Sequence, residues 1–216
     1  MNINDVKPFM SESFMLKKIF DRQKELMEKY HPIEKSNGLL QTEDVPVNLH
    51  DRFGQARLKD FAWRVTEEIG EATASLLDDN IRDHFFEEIA DSLHFLVELM
   101  ILSNVIPKEV IEMKDGLEFL FDNEYLTEGV EGNITEIKIH AYNIIEDLTR
   151  AMNCLKQKPW KQTHMETDVP RYSMFILCTF VLFIRFCKVA GMTPEILYSM
   201  YFRKSEVNRF RQRSNY

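Results

Sequence analysis

The sequence predicts an all-α protein, a bundle of about five to seven helices. Apolar residues recur at helical spacing along most of the chain. No stretch alternates between apolar and polar residues for long enough to form a sheet. The 216 residues include only 7 glycines and 7 prolines, which favours long helices over many turns.

Three helices are expected in the first half of the chain. Residues 11–30 carry apolar positions around a polar face, and Pro32 together with the Ser36-Asn37-Gly38 cluster is expected to end that helix. A loop without periodicity follows. The second helix is expected to begin at residue 51 or 57 and to end near residue 78, where two aspartates and an asparagine break the pattern. The third spans about 81–104.

The second half predicts three more long helices. Residues 115–133 are acidic and glycine-containing, so we expect a loop with one short helix. A long helix is expected over 134–155, followed by an irregular segment. The most apolar helix is expected over 172–190. The last begins after a Thr193 cap and runs to about residue 212.

The chain is expected to form a single domain over 1–216, with a candidate mobile helical insertion at about 107–170. Its net charge of −8 argues against a protein that coats nucleic acid. The N-terminus lacks signal-peptide features, and the most apolar run, 174–184, is about half of the roughly 20 residues that span a bilayer. Three cysteines without CxxC spacing suit a reducing compartment. We therefore expect a cytoplasmic protein without a membrane or nucleic-acid partner.

Two acidic motifs lie on the second and third helices, EEIGE at 67–71 and EEIAD at 87–91. Each motif places two carboxylates three residues apart, and residues at this spacing are neighbours on a helix surface. The pairs are Glu68 with Glu71, and Glu88 with Asp91. If the helices lie side by side, four carboxylates face one space.

Helical periodicity favours partial burial of these acids. Glu88 shares a stripe with apolar residues of the third helix, Asp91 flanks that stripe, and Glu68 lies beside the apolar stripe of the second helix. Packed carboxylates cannot all stay ionised without a positive partner. Mg²⁺, or alternatively Mn²⁺, suits an all-oxygen cluster. We therefore expect the bundle to contain a four-helix metal-binding core. The alternative is a solvated acidic surface. Glu67 and Glu87 are expected to lie at the periphery of the carboxylate cluster or in solvent.

The C-terminal segment YFRKSEVNRFRQRSNY, 201–216, concentrates positive charge in an acidic chain. Lys204, Asn208 and Arg211 are spaced i, i+4 and i+7, so they share one helical face. An ammonium, an amide and a guanidinium together suit a polyphosphate. The alternatives are a solvated basic tail, or a nucleic-acid patch with interleaved Tyr201, Phe202 and Phe210. Beside a carboxylate-held metal, this face indicates a nucleoside triphosphate.

These motifs resemble the all-α NTP pyrophosphatase superfamily, the MazG-like enzymes, and within it the dimeric dUTPases and phage dCTPase-dUTPases. The resemblance lies in EExxE followed 16 residues later by ExxD, and in the Lys, Asn and Arg-Gln of the C-terminal segment. DSLHF at 91–95 and RQKEL at 22–26 also resemble the family pattern. Two departures are the segment LLDDNIRDHFF, where the family often has tryptophans, and a Ser-Asn-Tyr ending in place of Gly-Tyr.

The resemblance implies a residue for each part of the site. The implied magnesium ligands are Glu68, Glu71, Glu88 and Asp91, and either Glu68 or Glu71 would orient the attacking water. The implied substrate contacts are Lys204, Asn208 and Arg211 at the phosphates, Gln23 at the base, Tyr216 near the nucleotide and Trp160 as a stacking candidate.

The implied activity is Mg²⁺-dependent hydrolysis of dUTP to dUMP and pyrophosphate by a homodimer, a step in nucleotide pool sanitation. A MazG-like or dCTPase-type enzyme acting on another nucleotide is the close alternative. A ferritin-like di-iron protein needs Glu-x-x-His on two helices, whereas this chain offers only Asp91-x-x-His94. The non-enzyme alternative is a helical interaction module with a basic C-terminal tail.

Overall fold

The computed structural model describes residues 1–76, 82–122, 133–158, 160 and 162–214. Within these ranges the chain contains helices and no strand, which confirms the all-α prediction. A short 3₁₀-helix, Ile3–Asp5, precedes the α-helices. These are α1 Met15–Ser36, α2 Arg52–Ser75, α3 Arg82–Ser103, α4 Lys108–Ile111, α5 Gly116–Asp122, α6 Ile134–Cys154, α7 Val169–Val189 and α8 Pro194–Arg213.

Side-chain caps fix where the long helices begin. Asp51 accepts hydrogen bonds from the backbone N–H groups of Phe53, at 2.8 Å, and Gly54, at 3.0 Å. The second helix therefore starts at the earlier of its two predicted positions. Thr193 caps α8 ahead of Pro194, as the sequence predicted. Capping satisfies N–H groups that have no partner inside the helix.

Of the two predicted stop signals, Pro32 does not end the first helix, whereas the Ser36-Asn37-Gly38 cluster does: α1 continues to Ser36, and Asn37 is its C-cap. The proline is exposed, so water can hydrate the carbonyl that its ring leaves unpaired. Tertiary contacts hold the turns on either side. The buried Arg57 side chain contacts His31 and lies 3.6 Å from Glu34 Oε2.

Pro170 also lies inside a helix rather than before it. α7 begins at Val169, three residues earlier than predicted, because Pro170 occupies the first turn, where a missing N–H does no harm. Asp168 caps this turn by accepting a hydrogen bond from the Arg171 backbone N–H at 3.3 Å. The fixed φ of Pro170 thus favours the start of α7 at this position.

The helices pack as two hairpins joined by one core. α2 packs on α3, and α6 packs on α7, while α1 and α8 both cover α3. α6 also contacts α2, which joins the hairpins. Four helices, α1, α2, α3 and α8, line one pocket, as expected of the predicted four-helix core. Completely buried core residues include Leu58, Val65, Ile89, Leu96, Ile144 and Ile176.

α7 has the length and composition of a membrane-spanning helix, with a mean hydropathy of 1.8. However, half of that apolar window is buried inside the protein. The helix packs on α6, α5 and α3. Tyr172, Phe183 and Cys187 all lie in the core. We therefore interpret α7 as a core helix of the bundle.

Replacing Pro32 with alanine should raise the free energy of unfolding by about 1–2 kcal/mol, because alanine restores a helical hydrogen bond and removes a ring clash. Urea denaturation would measure this change. Pro8→Ala is the control, since Pro8 is exposed and lies outside the helices, so its replacement should leave stability unchanged or slightly lower. A loss of stability in Pro32→Ala would contradict the explanation.

Candidate active site

Three of the four predicted carboxylates form a cluster between α2 and α3. Glu68, Glu71 and Glu88 each offer one oxygen, and these oxygens lie within 4.8 Å of one another. Glu88 is buried, Glu68 is half-buried and Glu71 is exposed. The i, i+3 spacing on α2 places two acids on one side of that helix, and α3 supplies the third.

The fourth carboxylate, Asp91, is held by α8. Its Oδ2 lies 2.7 Å from Nζ of Lys204, which also lies 3.5 Å from Glu87 Oε2. Lys204 is only 9% exposed, so water and salt screen these ion pairs weakly. Glu67 is exposed, as expected for a peripheral residue. Glu87, which was also expected to be peripheral, is instead a partner of the lysine.

Burial and mutual repulsion disfavour full ionisation of this cluster. Burial raises the pKa of Glu68 to about 8, and the charge of Asp91 and a hydrogen bond with Glu88 add to the shift. Burial also raises the pKa of Asp91 to about 6, although the nearby Lys204 opposes that shift. A cation among these oxygens would favour their ionised forms.

The basic face of α8 lies against the acidic cluster. Lys204, Asn208 and Arg211 line the same pocket as Glu68 and Asp91. Helical spacing predicted that the three α8 residues share a face, and the structure places that face in the pocket. Acidic and basic groups therefore enclose one space, where a metal and an anion could be bound together.

Most of the C-terminal segment is not a free basic tail. Tyr201 and Phe202 are buried, at 0% and 6% exposure, so neither ring can stack on a nucleic-acid base, whereas Phe210 is 46% exposed. Arg203 donates hydrogen bonds to two backbone carbonyls of the N-terminal segment. Arg209 pairs with Glu206 at 2.9 Å. These contacts weaken the nucleic-acid interpretation of this segment.

A buried hydrogen-bond network forms another wall of the pocket. Nε2 of Gln23 donates to Glu98 Oε2 at 2.8 Å. Oε1 of Gln23 accepts from the hydroxyl of Tyr201 at 2.8 Å and lies 2.8 Å from His94 Nδ1. Gln23 is 3% exposed and lines the pocket, as does Glu98. A neutral amide is thus fixed where a ligand can reach it.

Both ring nitrogens of His94 face protein partners. Nδ1 faces Gln23, and Nε2 lies 3.2 Å from the backbone oxygen of Tyr201. The ring stacks on Tyr201 with centroids 3.9 Å apart. Complete burial lowers the pKa of His94 to about 3, so the ring is neutral. These contacts leave no nitrogen for a metal, which argues against the ferritin-like alternative.

Apolar and aromatic side chains complete the pocket. Leu26 and Tyr30 of α1, Phe61 of α2 and Phe95 of α3 line it. The guanidinium of Arg64 lies 4.7 Å from the Phe61 ring centroid and 5.7 Å from that of Phe95. A planar group can pack against surfaces of this kind.

Of the remaining two predicted substrate residues, only Trp160 belongs to the described residues, and it does not line this pocket. Trp160 is 77% exposed, in the connection between α6 and α7, and is not among the described residues that line it. Tyr216 lies outside the described residues. Base stacking by Trp160 and nucleotide contact by Tyr216 stay predictions.

Sequence reasoning missed Glu98, Arg64 and His84. Glu98 lies two helical turns after Asp91, so it continues the face that carries the acidic motif, and that spacing could have identified it. His84 Nδ1 lies 3.1 Å from Glu88 Oε1, at the i, i+4 spacing of neighbouring side chains. Arg64 shows no comparable signal, because exposed arginines are common on helices.

Comparison with known proteins agrees with this geometry. Neither the curated proteins nor the solved structures gave a significant match. A family model described as dUTPase matches residues 75–216, a segment that contains Glu88, Asp91 and the basic face of α8 but not Glu68 and Glu71. Because the match covers well over half of the chain, the protein belongs to the dUTPase family of nucleotide hydrolases.

Proposed function

We propose that this protein hydrolyses dUTP to dUMP and pyrophosphate in a Mg²⁺-dependent reaction. The observation that carries the proposal is the lining of a single pocket. It combines carboxylates of α2 and α3, cations of α8, and a buried amide beside aromatic rings. A deoxynucleoside triphosphate combines matching groups, since its phosphates bind metal and cations and its base offers a flat surface with hydrogen-bonding edges.

The carboxylates fit Mg²⁺ by chemistry and by spacing. Mg²⁺ prefers oxygen ligands at about 2.1 Å, so two oxygens on one ion lie at most about 4.2 Å apart. The spread of 4.8 Å among Glu68, Glu71 and Glu88 needs only small side-chain adjustments to reach that value. Asp91, beside this cluster, is the fourth proposed ligand. Mn²⁺ takes the same donors and is the alternative ion.

The α8 face would bind the phosphates. Arg211 offers a guanidinium fork that can donate two hydrogen bonds to one phosphate, and Lys204 and Asn208 add a positive charge and a neutral donor. The base would lie towards Gln23 and the aromatic wall. An amide can donate and accept hydrogen bonds, so it can pair with a pyrimidine edge.

The protein groups have distinct roles in the proposed reaction. Glu68 or Glu71 would accept a hydrogen bond from the attacking water and orient it towards the α-phosphorus. Lys204 and Arg211 would neutralise the pyrophosphate as its bond to that phosphorus breaks. A bound Mg²⁺ supplies phosphate charge neutralisation and a lower pKa for the attacking water.

The same pocket could accept dCTP, because rotating the Gln23 amide replaces the hydrogen-bond donor that faces the base with an acceptor. Hydrolysis of dCTP or another nucleotide is therefore the alternative activity.

We further propose that the protein acts in the cytoplasm as a homodimer. Trp63 and Tyr142 are large and 62% and 64% exposed, which gives the surface apolar area that a second subunit could cover.

Purified protein should release pyrophosphate from dUTP in the presence of Mg²⁺ and not after treatment with EDTA. Glu88→Gln should lower kcat/KM by about 100-fold or more, since it removes a metal ligand. Glu67→Gln, on an exposed neighbour of the cluster, is the control and should stay within about threefold. Absence of pyrophosphate release from every deoxynucleoside triphosphate would refute the proposal.

Metal-free protein should lose stability as the pH rises from about 5 to about 8. The folded pKa values of Glu68 and Asp91 lie above their ordinary values, so unfolding releases protons in this range. Mg²⁺ should restore stability at the upper end, because its ligands bind deprotonated. Denaturation in EDTA and in Mg²⁺ would measure both effects. Glu68→Gln should flatten the pH dependence, whereas Glu28→Gln, an exposed control, should not.

Arg211→Gln should raise the KM for dUTP by about tenfold, because it removes a charged phosphate donor. Steady-state kinetics would test this expectation against Arg213→Gln, which removes an equal charge from an exposed residue outside the pocket lining. Equal effects of the two substitutions would show that general charge, and not a phosphate contact, explains the role of Arg211.

A further inference from the structure

The Gln23 amide has one hydrogen-bonding group left for a ligand. Its Oε1 already faces two partners, Tyr201 and His94. Its Nε2 carries two hydrogens and, among the described residues, donates only one of them, to Glu98. Since Gln23 lines the pocket, the second N–H is available there.

Glu98 determines which end of this amide lies beside it. A carboxylate can only accept hydrogen bonds, so it requires the N–H end of Gln23 at this position. Rotating the amide would place Oε1 about 2.8 Å from a carboxylate oxygen, where two acceptors repel each other. Burial strengthens this constraint, since Glu98 is only 5% exposed.

We propose that Glu98 is a specificity-determining residue, which holds the Gln23 amide so that it presents a hydrogen-bond donor to the pyrimidine base. Glu98 acts through Gln23, so it is a positioning residue rather than a catalytic one. A donor pairs with the 4-carbonyl of uracil and opposes the 4-amino group of cytosine, which is itself a donor. This inference rests on the proposed nucleotide hydrolysis and adds the reason for choosing dUTP over dCTP.

In the first arrangement, the single N–H of neutral His94 cannot donate both to Gln23 Oε1 and to the Tyr201 carbonyl. The network has a second arrangement, without this mismatch, when Glu98 is neutral. A protonated Glu98 donates to Gln23 Oε1, so the amide rotates and its two N–H hydrogens face His94 Nδ1 and the Tyr201 hydroxyl. The Tyr201 hydroxyl can then donate to the Ile19 carbonyl, 3.2 Å away, and His94 Nε2 can donate to the Tyr201 carbonyl. The amide now presents an acceptor to the pocket, which suits the cytosine amino group.

Several groups face Glu98 and set its protonation. Burial raises the pKa of Glu98 to about 7. A hydrogen bond from Gln23 opposes this shift, the charge of Glu34 on α1 adds to it, and Arg57 and Arg64 on α2 oppose it. The neutral groups near Glu98 are Tyr30 and Tyr201, and His94 lies on the far side of the Gln23 amide. Preference for dUTP over dCTP should therefore decrease as the pH falls through about 7.

The test compares kcat/KM for dUTP and dCTP between about pH 6 and about pH 8.5. The ratio of the two constants cancels the titration of carboxylates that both substrates share, and it also cancels partial unfolding. Wild-type protein should prefer dUTP at the upper end and lose about tenfold of that preference at the lower end. This series needs no substitution, so it decides the question even if a variant folds poorly.

Glu98→Gln should lower the ratio at high pH by about tenfold or more and remove its pH dependence, because an amide can either donate to or accept from Gln23. The matched control is Glu34→Gln, which removes the same charge from the same pocket without a bond to Gln23. It should keep the ratio within about twofold at the upper end of the pH range and move its pH dependence to lower pH, because the charge of Glu34 raises the pKa of Glu98.

The outcomes separate the two proposals. Failure of the wild type to hydrolyse either nucleotide would refute the proposed function. Hydrolysis with a ratio that neither pH nor Glu98→Gln changes would refute only the role of Glu98. A preference for dCTP at high pH would likewise overturn that role.

Discussion

Several carboxylates packed between two helices impose the constraint on which the rest of this structure depends. Glu68 from α2 and Glu88 and Asp91 from α3 are withdrawn from water and repel one another. Such a cluster needs positive charge nearby. The chain supplies part of that charge from its far end, since Lys204 pairs with Asp91 at 2.7 Å. This ion pair requires α8 to pack on α3, and that packing closes the pocket.

A second buried acid is accommodated in a different way. Glu98 lies on the same face of α3, two turns beyond Asp91, but its direct partner is the neutral amide of Gln23. Arg57 and Arg64 lie near enough to affect its pKa without forming an ion pair with it. The Asp91 end of this face thus carries charges that ions can neutralise, whereas the Glu98 end presents hydrogen-bonding groups. A ligand that bridges them must have both kinds of group.

Local patterns in the sequence predicted much of this arrangement, because they depend on helical geometry alone. The spacing of Glu88 and Asp91 predicted their common face, and the apolar stripe beside them predicted the burial of Glu88. The continuation of α1 through Pro32 could not be predicted in this way, since it is supported by Arg57, a residue of another helix. Likewise, Glu87 pairs with Lys204 only because of the way α8 packs on α3, which local spacing does not predict.

The residues of the candidate site lie partly inside and partly outside the segment that the dUTPase family model matches. The segment matched by the dUTPase family contains Glu88, Asp91, Glu98 and the phosphate-binding face proposed for α8. Gln23 and the acids of α2 lie before it, so the match does not cover the amide that would face the base. The basic face of α8 and the acids of α3 lie in the matched segment, whereas the base choice that we propose depends on a contact between Gln23 and Glu98 that crosses its boundary. Substitutions in α1 can therefore change the proposed specificity while the proposed phosphate contacts of α8 stay the same.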